Sequence, residues 1–379
     1  MDTRKMFKIG AKIRSYRDRI GITQKDLAEK LGFASSETIS QIEQDKREVK
    51  AWELAKIAKI LHVDMSDLLA FVEPAEPQPV LWRQEPSANK AAIEQIFNKF
   101  CEDYDMLEKL SGEQISYHPL PQMDASPRTI NYKEAERFAD TVHNSLHLGE
   151  IPARVLEKTL QDRYGIKILY KELEEGSAAT TIGDFGPAIL MNSREAPWRR
   201  NYNFAHELFH LITWKSIPPS VLREDKELWE KIEKLANAFA SWLLLPADAL
   251  KFAFEDRVKE GKITYMDLVD IARKFDVSTD ALLYRLVKLG KLSQVVVDEL
   301  KRSEQFKAHD RSTMGASWWS PPKFSEPFVR LAFIAYQKGN LSKMKLAHLL
   351  DTSLFDLDTV LQEYGLDDSD SYNAEIHTL

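Results

Sequence analysis

Two histidines four residues apart, His206 and His210, flank Glu207 in the segment Phe204-Ala-His-Glu-Leu-Phe-His-Leu-Ile212. On a helix, imidazoles at that spacing leave the same face one turn apart and can hold one cation between them. A second helical segment follows from Trp229 to Ala240, with an apolar stripe of Leu228, Ile232, Leu235, Phe239 and Trp242. Off that stripe lie Glu233 and Asn237, one turn apart. Two neutral imidazoles and one carboxylate suit zinc and leave a fourth position for water, whose pKa falls to about 7 on binding; manganese is the alternative ion. Glu207 then has the place of a general base and acid, able to take the water's proton and pass it to a leaving amine. Glu230 competes with Glu233 as the third ligand. Asn237 favours Glu233, because a side-chain amide one turn on can hydrogen-bond a ligand imidazole and fix its orientation. The reading without chemistry, an amphipathic helix with two half-exposed histidines, leaves the second helix's Glu233 and Asn237 unexplained.

These helices need a frame. Short strands are expected over 166–170, 178–182 and 188–191, the last two joined through Gly183-Asp184-Phe185-Gly186, with helical patterns over 90–110 and 132–148. A peptide adding as an extra strand to an edge near 188–191 would lie over the metal. Tyr202, His143 and His147 are candidates for stabilising an oxyanion, each with a structural role as its simpler explanation. The expected architecture is mainly α with a small β-sheet.

The N-terminal seventy residues read as a small all-helical unit, with apolar positions at helical spacing through Ile13, Leu27, Leu31, Ile39, Ile42, Leu54, Ile57, Leu61 and Leu68. Thr23 and Asp26 offer a helix start, Gly32 a stop, and a next helix begins near Ser35 or Ser36. Residues 1–70 hold 14 Lys/Arg against 11 Asp/Glu, or +3, while the remainder holds 38 against 48, or -10. Any nucleic-acid contact is therefore expected in the first seventy residues. Residues 73–89, with Pro74, Pro77, Pro79 and Pro86 among polar residues, read as an extended linker. Boundaries follow at 1–72, 73–89, 90–260, 261–300 (a helix pair) and 301–379 (helical, with an acidic tail from Asp367). The single cysteine, Cys101, forms no internal disulfide and reads as core filler. With no export signal and no apolar run of membrane-spanning length, the expected location is the cytoplasm, away from any membrane.

Residues 8–70 resemble the Xre/Cro-type repressor family, through Ile-Thr-Gln-Lys-Asp-Leu-Ala at 22–28, Thr-Ile-Ser-Gln-Ile-Glu at 38–43 and Ile-Ala-Lys-Ile-Leu at 57–61. The resemblance implies a five-helix helix-turn-helix domain on double-stranded operator DNA. Ser36, Glu37, Thr38 and Gln41 would then face base edges, and Gln24, Lys46 and Arg47 phosphates. A homodimer on two half-sites would follow; the alternative is a dimerisation or docking module.

The His-Glu-x-x-His segment, the Glu233-x-x-Ala-Asn-x-Phe-Ala run and Leu-Leu-x-Pro246 resemble the ImmA/IrrE family of metallopeptidases, as do Pro187-Ala-Ile-Leu-Met-Asn192 and Arg199-Arg200. The second helix also looks like the glutamate helix of thermolysin-type peptidases. Together they imply a zincin-like, gluzincin-type α+β peptidase domain with His206, His210 and Glu233 on zinc and Glu207 as the base. The implied substrate is a protein, such as a repressor or cognate regulator, cut in a stress, phage or toxin-antitoxin response. Two rivals remain: a repressor or antitoxin in which the zinc domain is a non-catalytic sensor, and an extracellular cell-wall peptidase that no export signal supports.

Overall fold

The computed structural model describes residues 9–70, 78–112, 116–315 and 318–367 of the chain. Five short helices come first: α1 (Ile9–Arg19), α2 (Gln24–Leu31), α3 (Glu37–Glu43), α4 (Ala51–Leu61) and α5 (Met65–Leu69). Their apolar positions meet in a separate core in which Ile13, Leu27, Ile39, Ile57, Leu61 and Leu68 are fully buried. Thr23 Oγ1 accepts the Asp26 amide at 3.1 Å and Asp26 Oδ2 accepts the Thr23 amide at 2.8 Å, so two unpaired amides at the start of α2 are satisfied reciprocally. Gly10 lets α1 cross α3 closely, since a Cβ there would sit 2.1 Å from the Ile42 carbonyl oxygen.

The next elements are β1 (Leu81–Trp82), α6 (Lys90–Ser111), α7 (Tyr132–Leu146), α8 (Leu156–Tyr164), β2 (Lys167–Lys171), β3 (Ala178–Gly183) and β4 (Gly186–Asn192). Then come α9 (Pro197–Thr213), α10 (Pro219–Glu224), α11 (Lys226–Leu244), α12 (Ala247–Glu255), α13 (Tyr265–Lys274) and α14 (Thr279–Lys288). The described chain closes with α15 (Gln294–Arg302), α16 (Glu304–Met314), α17 (Glu326–Gln337), α18 (Lys343–Leu349) and α19 (Leu357–Glu363). The strands form one sheet in the order β1-β3-β4-β2, antiparallel except for the β4–β2 pair. The fold is thus mostly helical around a small sheet.

Side-chain alternation divides the sheet between two cores. Ile168, Tyr170, Ala178, Ile189 and Met191 face a cluster that includes α9, α11 and the helices α12 to α14. Leu169, Ala179, Ala188 and Leu190 face the other way, onto α6 and α17 to α19, where Cys101 is fully buried. Helix α9 is buried on every side from Asn203 to Thr213, as a helix in the middle of a layered domain must be. Among the described residues no helix is long and apolar enough to cross a membrane.

Three expectations change here. First, β4 is not an edge: Ile189 pairs with Thr180 on one side and Ile168 on the other, so its main chain has no free partner for a peptide. The parallel partner β2 was readable as a strand, but its place beside β4 was not, because parallel pairing is set by the long crossover rather than by a local turn. Second, the stretch 73–89 is not a free linker throughout. Pro74 and Pro77 lie outside the described residues, while Val80, Leu81 and Trp82 are buried, β1 pairs with β3, and Trp82 Nε1 donates to Glu94 at 2.7 Å. Averaged over the proline-rich window, a three-residue apolar run carried too little weight to register as a strand. Third, the boundary expected near 260 falls inside one continuous apolar cluster, since Leu268, Ile271, Leu282 and Leu286 share a core with α9 and α11. Most of the acidic tail, from residue 368, lies outside the described residues.

The N-terminal unit is tied to the rest through Asp64. Its carboxylate receives Lys99 Nζ of α6 at 2.9 Å, Lys345 Nζ of α18 at 3.0 Å and His348 Nε2 at 3.3 Å.

Candidate metal centre

Helix α9 carries His206 and His210 on one face, and α11 crosses it with Glu233 turned inward. Asp225 starts α11 by accepting the Leu228 amide at 2.9 Å, and Trp229, one turn before Glu233, stacks nearly parallel on the His210 ring at 6.3 Å. The three candidate ligand atoms form a small triangle. His206 Nε2 and His210 Nε2 are 3.2 Å apart, and Glu233 lies 3.3 Å from the first and 3.1 Å from the second. A tetrahedral ion about 2.05 Å from each ligand would space them about 3.3 Å apart. Among the described residues this is the cluster of His and acidic side chains with metal-holding geometry. Glu230, the competing ligand, is exposed and outside it.

Hydrogen bonds fix the chemistry of that triangle. Arg83 Nη2 and His206 Nδ1 both lie 3.2 Å from Asn237 Oδ1. Arginine can only donate, so the Asn237 oxygen faces it, and the same oxygen must accept from His206 Nδ1–H. In the neutral ring the proton is then on Nδ1 and the Nε2 lone pair points at Glu233. A lone pair against a carboxylate is repulsive unless a cation lies between them, so the donor set fits a divalent metal. Arg83 is itself held. Its Nη1 donates to Asn203 Oδ1, Asn203 Nδ2 donates to Ser177 Oγ at 2.9 Å and to Glu195, and the guanidinium lies over the Tyr202 ring at 5.2 Å.

Burial lowers the His206 pKa to about 4, with Arg83 acting in the same sense against the pull of Glu233, so this imidazole is neutral at pH 7. For Glu233 burial acts upward, but the two imidazoles beside it outweigh it and hold the carboxyl well below its usual range. Glu207 is fully buried, and burial, reinforced by Glu233, pushes its carboxyl well above the ordinary value. Neither of its oxygens has a hydrogen-bond partner among the described residues. A sealed, unpartnered carboxyl group is costly.

The remaining sequence candidates lie elsewhere or do other work. Tyr202 donates its hydroxyl to the Asn237 carbonyl oxygen at 2.5 Å and braces α9 against α11. His143 Nε2 lies 2.7 Å from the Gly149 carbonyl oxygen, and His147 is an exposed residue at the left-handed end of α7. In the N-terminal unit Ser36, Glu37, Gln41 and Lys46 are exposed, Thr38 is half-buried, and α3 begins at Glu37. Gln24 and Arg47 are engaged internally. Gln24 Nε2 donates to Glu43 at 2.8 Å, and Arg47 forks onto Glu53 at 2.8 and 3.2 Å. Sequence reasoning missed Arg83, Asn203 and Glu195. Asn203 had a signal, since it lies three residues before His206 on the same face of an apolar helix; Arg83 had none, because it reaches the site across 154 residues of chain.

Fold and site define a class of protein: a helix-turn-helix-like unit followed by an α+β domain with a buried cluster of two histidines and a helix-borne glutamate that could hold a metal ion. Residues 13–68 match the family described as helix-turn-helix, and residues 161–287 match the IrrE N-terminal-like domain. The radiation response metalloprotease IrrE of Deinococcus deserti is 34% identical over 104 residues, 26% of this chain and 36% of that protein. The chain thus spans about a third of the length of that relative. A Mycobacterium tuberculosis transcriptional regulator of known structure is 16% identical, covering 49% of this chain and 51% of its own, at a TM-score of 0.31. The chain joins a helix-turn-helix domain to an IrrE-like metallopeptidase-family domain, the arrangement of ImmA/IrrE proteins fused to such a domain.

Proposed function

We propose that the chain is a DNA-binding regulatory zinc metalloendopeptidase that hydrolyses a peptide bond in a protein partner, a repressor or cognate regulator, in the cytoplasm. The observation that carries the reading is the triangle of His206, His210 and Glu233 with the unpartnered Glu207 carboxylate beside it. Zinc on those three residues, or manganese in its place, would supply Lewis acidity toward water and the scissile carbonyl. Glu207 takes a proton from the attacking water as the new carbon–oxygen bond forms, then delivers it to the amide nitrogen as the carbon–nitrogen bond breaks. Asn237, oriented by Arg83, keeps the His206 lone pair on the metal side.

Residues 1–72 form the DNA-reading unit, with Ser36, Glu37, Thr38 and Gln41 toward base edges and Lys46 toward phosphate. Arg47 and Gln24 act through Glu53 and Glu43, holding α3 in place rather than carrying most of the contact. A homodimer would pair two such units on operator half-sites. The relative's name describes a radiation response, and we place this chain in the same general setting of stress, phage or toxin-antitoxin regulation.

The test is cleavage of proteins encoded beside this chain, with zinc added and Glu207→Gln as control. Cleavage by the parent and none by Glu207→Gln, with metal retained by both, supports the peptidase. Metal and operator bound with no cleavage by either overturns it in favour of a repressor or antitoxin with a non-catalytic sensor domain.

A further inference from the structure

Helices α7, α11 and α14 leave a cavity of about 290 Å³ between them, and none of His206, His210 and Glu233 lines it. Helix packing in a core normally closes such space, and two polar groups in the lining are incompletely paired. Ser241, one turn beyond Asn237 on α11, is only 5% exposed and its Oγ has no hydrogen-bond partner among the described residues. Arg285 of α14 is only 3% exposed, yet among the described residues no carboxylate reaches it at hydrogen-bond distance. Its Nε donates to the Leu245 carbonyl oxygen at 3.1 Å, and its nearest acid, Glu136, stands 3.9 Å from Nη1. Burial lowers the Arg285 pKa to about 10, against the opposing pull of Glu136 and Asp140. A buried guanidinium with no carboxylate at hydrogen-bond distance, beside an orphaned hydroxyl, is expensive unless something completes it.

The rim has the matching sign. Lys133 and Lys288 join Arg285 around the opening and Glu136 is the one acid lining it among the described residues, inside a part of the chain that is otherwise strongly acidic. The rest of the wall is largely apolar, with Trp242 beneath the guanidinium at 5.7 Å and Tyr284 alongside. A polar anion such as sulfate would leave that wall unused, and a neutral hydrocarbon would leave Arg285 and Ser241 unpaired.

We infer that this cavity is a binding site for a small organic anion with an apolar body, a carboxylate or phosphate monoester. Its head pairs with Arg285 and Ser241 Oγ, its body lies against Trp242 and Tyr284, and Lys133 and Lys288 attract it. The site stands whether or not the chain cuts peptides.

Calorimetric titration of the full chain with benzoate and phenyl phosphate, and with neutral benzamide, tests it. Each titration is run with zinc present and with zinc removed by chelation. At least one anion should saturate, benzamide should bind about tenfold more weakly or not at all, and the result should not depend on zinc. Lys133→Glu combined with Lys288→Glu, at exposed positions, should weaken the anion about tenfold. Arg285→Gln should abolish binding, with thermal unfolding run alongside to show that it folds. No saturation by either anion, equal binding of benzamide, or affinity unmoved by the double reversal overturns the site. Binding that vanishes with zinc and ignores the lysines places the anion on the metal instead, and equally overturns it.

Discussion

Replacing Asn237 with leucine removes the one oxygen that accepts from both His206 Nδ1 and Arg83 Nη2, each at 3.2 Å, with little change in side-chain volume. His206 is fully buried, so its Nδ1–H is left unpaired at a cost of about 1–3 kcal/mol. The ring relieves that cost by carrying its proton on Nε2, the nitrogen that faces Glu233 and His210, and an incoming metal must then displace it. Loss of such a supporting hydrogen bond typically lowers metal affinity about 10–100-fold, or about 1.4–2.7 kcal/mol. Asn237→Asp keeps both acceptor contacts and adds charge, so it should bind zinc at least as tightly as the parent. The measurement is the zinc Kd of the full chain, by competition with a chromophoric chelator at neutral pH, with far-UV circular dichroism to confirm folding. The reasoning fails if Asn237→Leu stays within roughly threefold of the parent, or if Asn237→Asp is as weak as Asn237→Leu.

Ile189→Pro, which would block substrate specifically if β4 were a docking edge, should instead cost about 3 kcal/mol or more by breaking a strand paired on both sides. Thermal unfolding and zinc content should fall together; a stable, zinc-loaded variant that fails only in cleavage would refute the topology argument. Asp64→Asn should cost about 1.5–3 kcal/mol at pH 7, because it weakens charge-assisted bonds from Lys99 and Lys345 to a largely buried carboxylate. The hydrogen bond from His348, then Lys99 and Lys345, holds the Asp64 pKa far below its ordinary 3.8 against the effect of burial. Its contribution is therefore full above about pH 4 and is lost as pH falls toward the folded value. A parent-minus-variant difference in urea midpoints that grows below pH 4 would contradict this. Lys46→Ala should weaken operator binding uniformly across sequences and reduce the salt slope by about one, whereas a changed base preference in a binding-site selection would assign Lys46 a different role.

What the sequence determined by itself is local. Paired histidines at i and i+4, Glu233 with Asn237 one turn on, the Thr23–Asp26 helix start and the alternating strands all rest on periodicities of a few residues, which the backbone imposes wherever the segment ends up. The N-terminal unit was legible for the same reason, since its core is built from neighbouring short helices. The tertiary structure alone decided which partners those groups meet. The crossing of α9 and α11 brings Glu233 and not Glu230 to the histidines, as Asn237 favoured, and only the parallel partner β2 makes β4 an interior strand. Arg83 has no signature in a proline-rich stretch, yet pairing of β1 with β3 brings it to Asn203 and Asn237 across 120 and 154 residues. Contacts of that range depend on the packing of the whole domain, because a short window of sequence carries the residue's chemistry but not the surface it will be folded against.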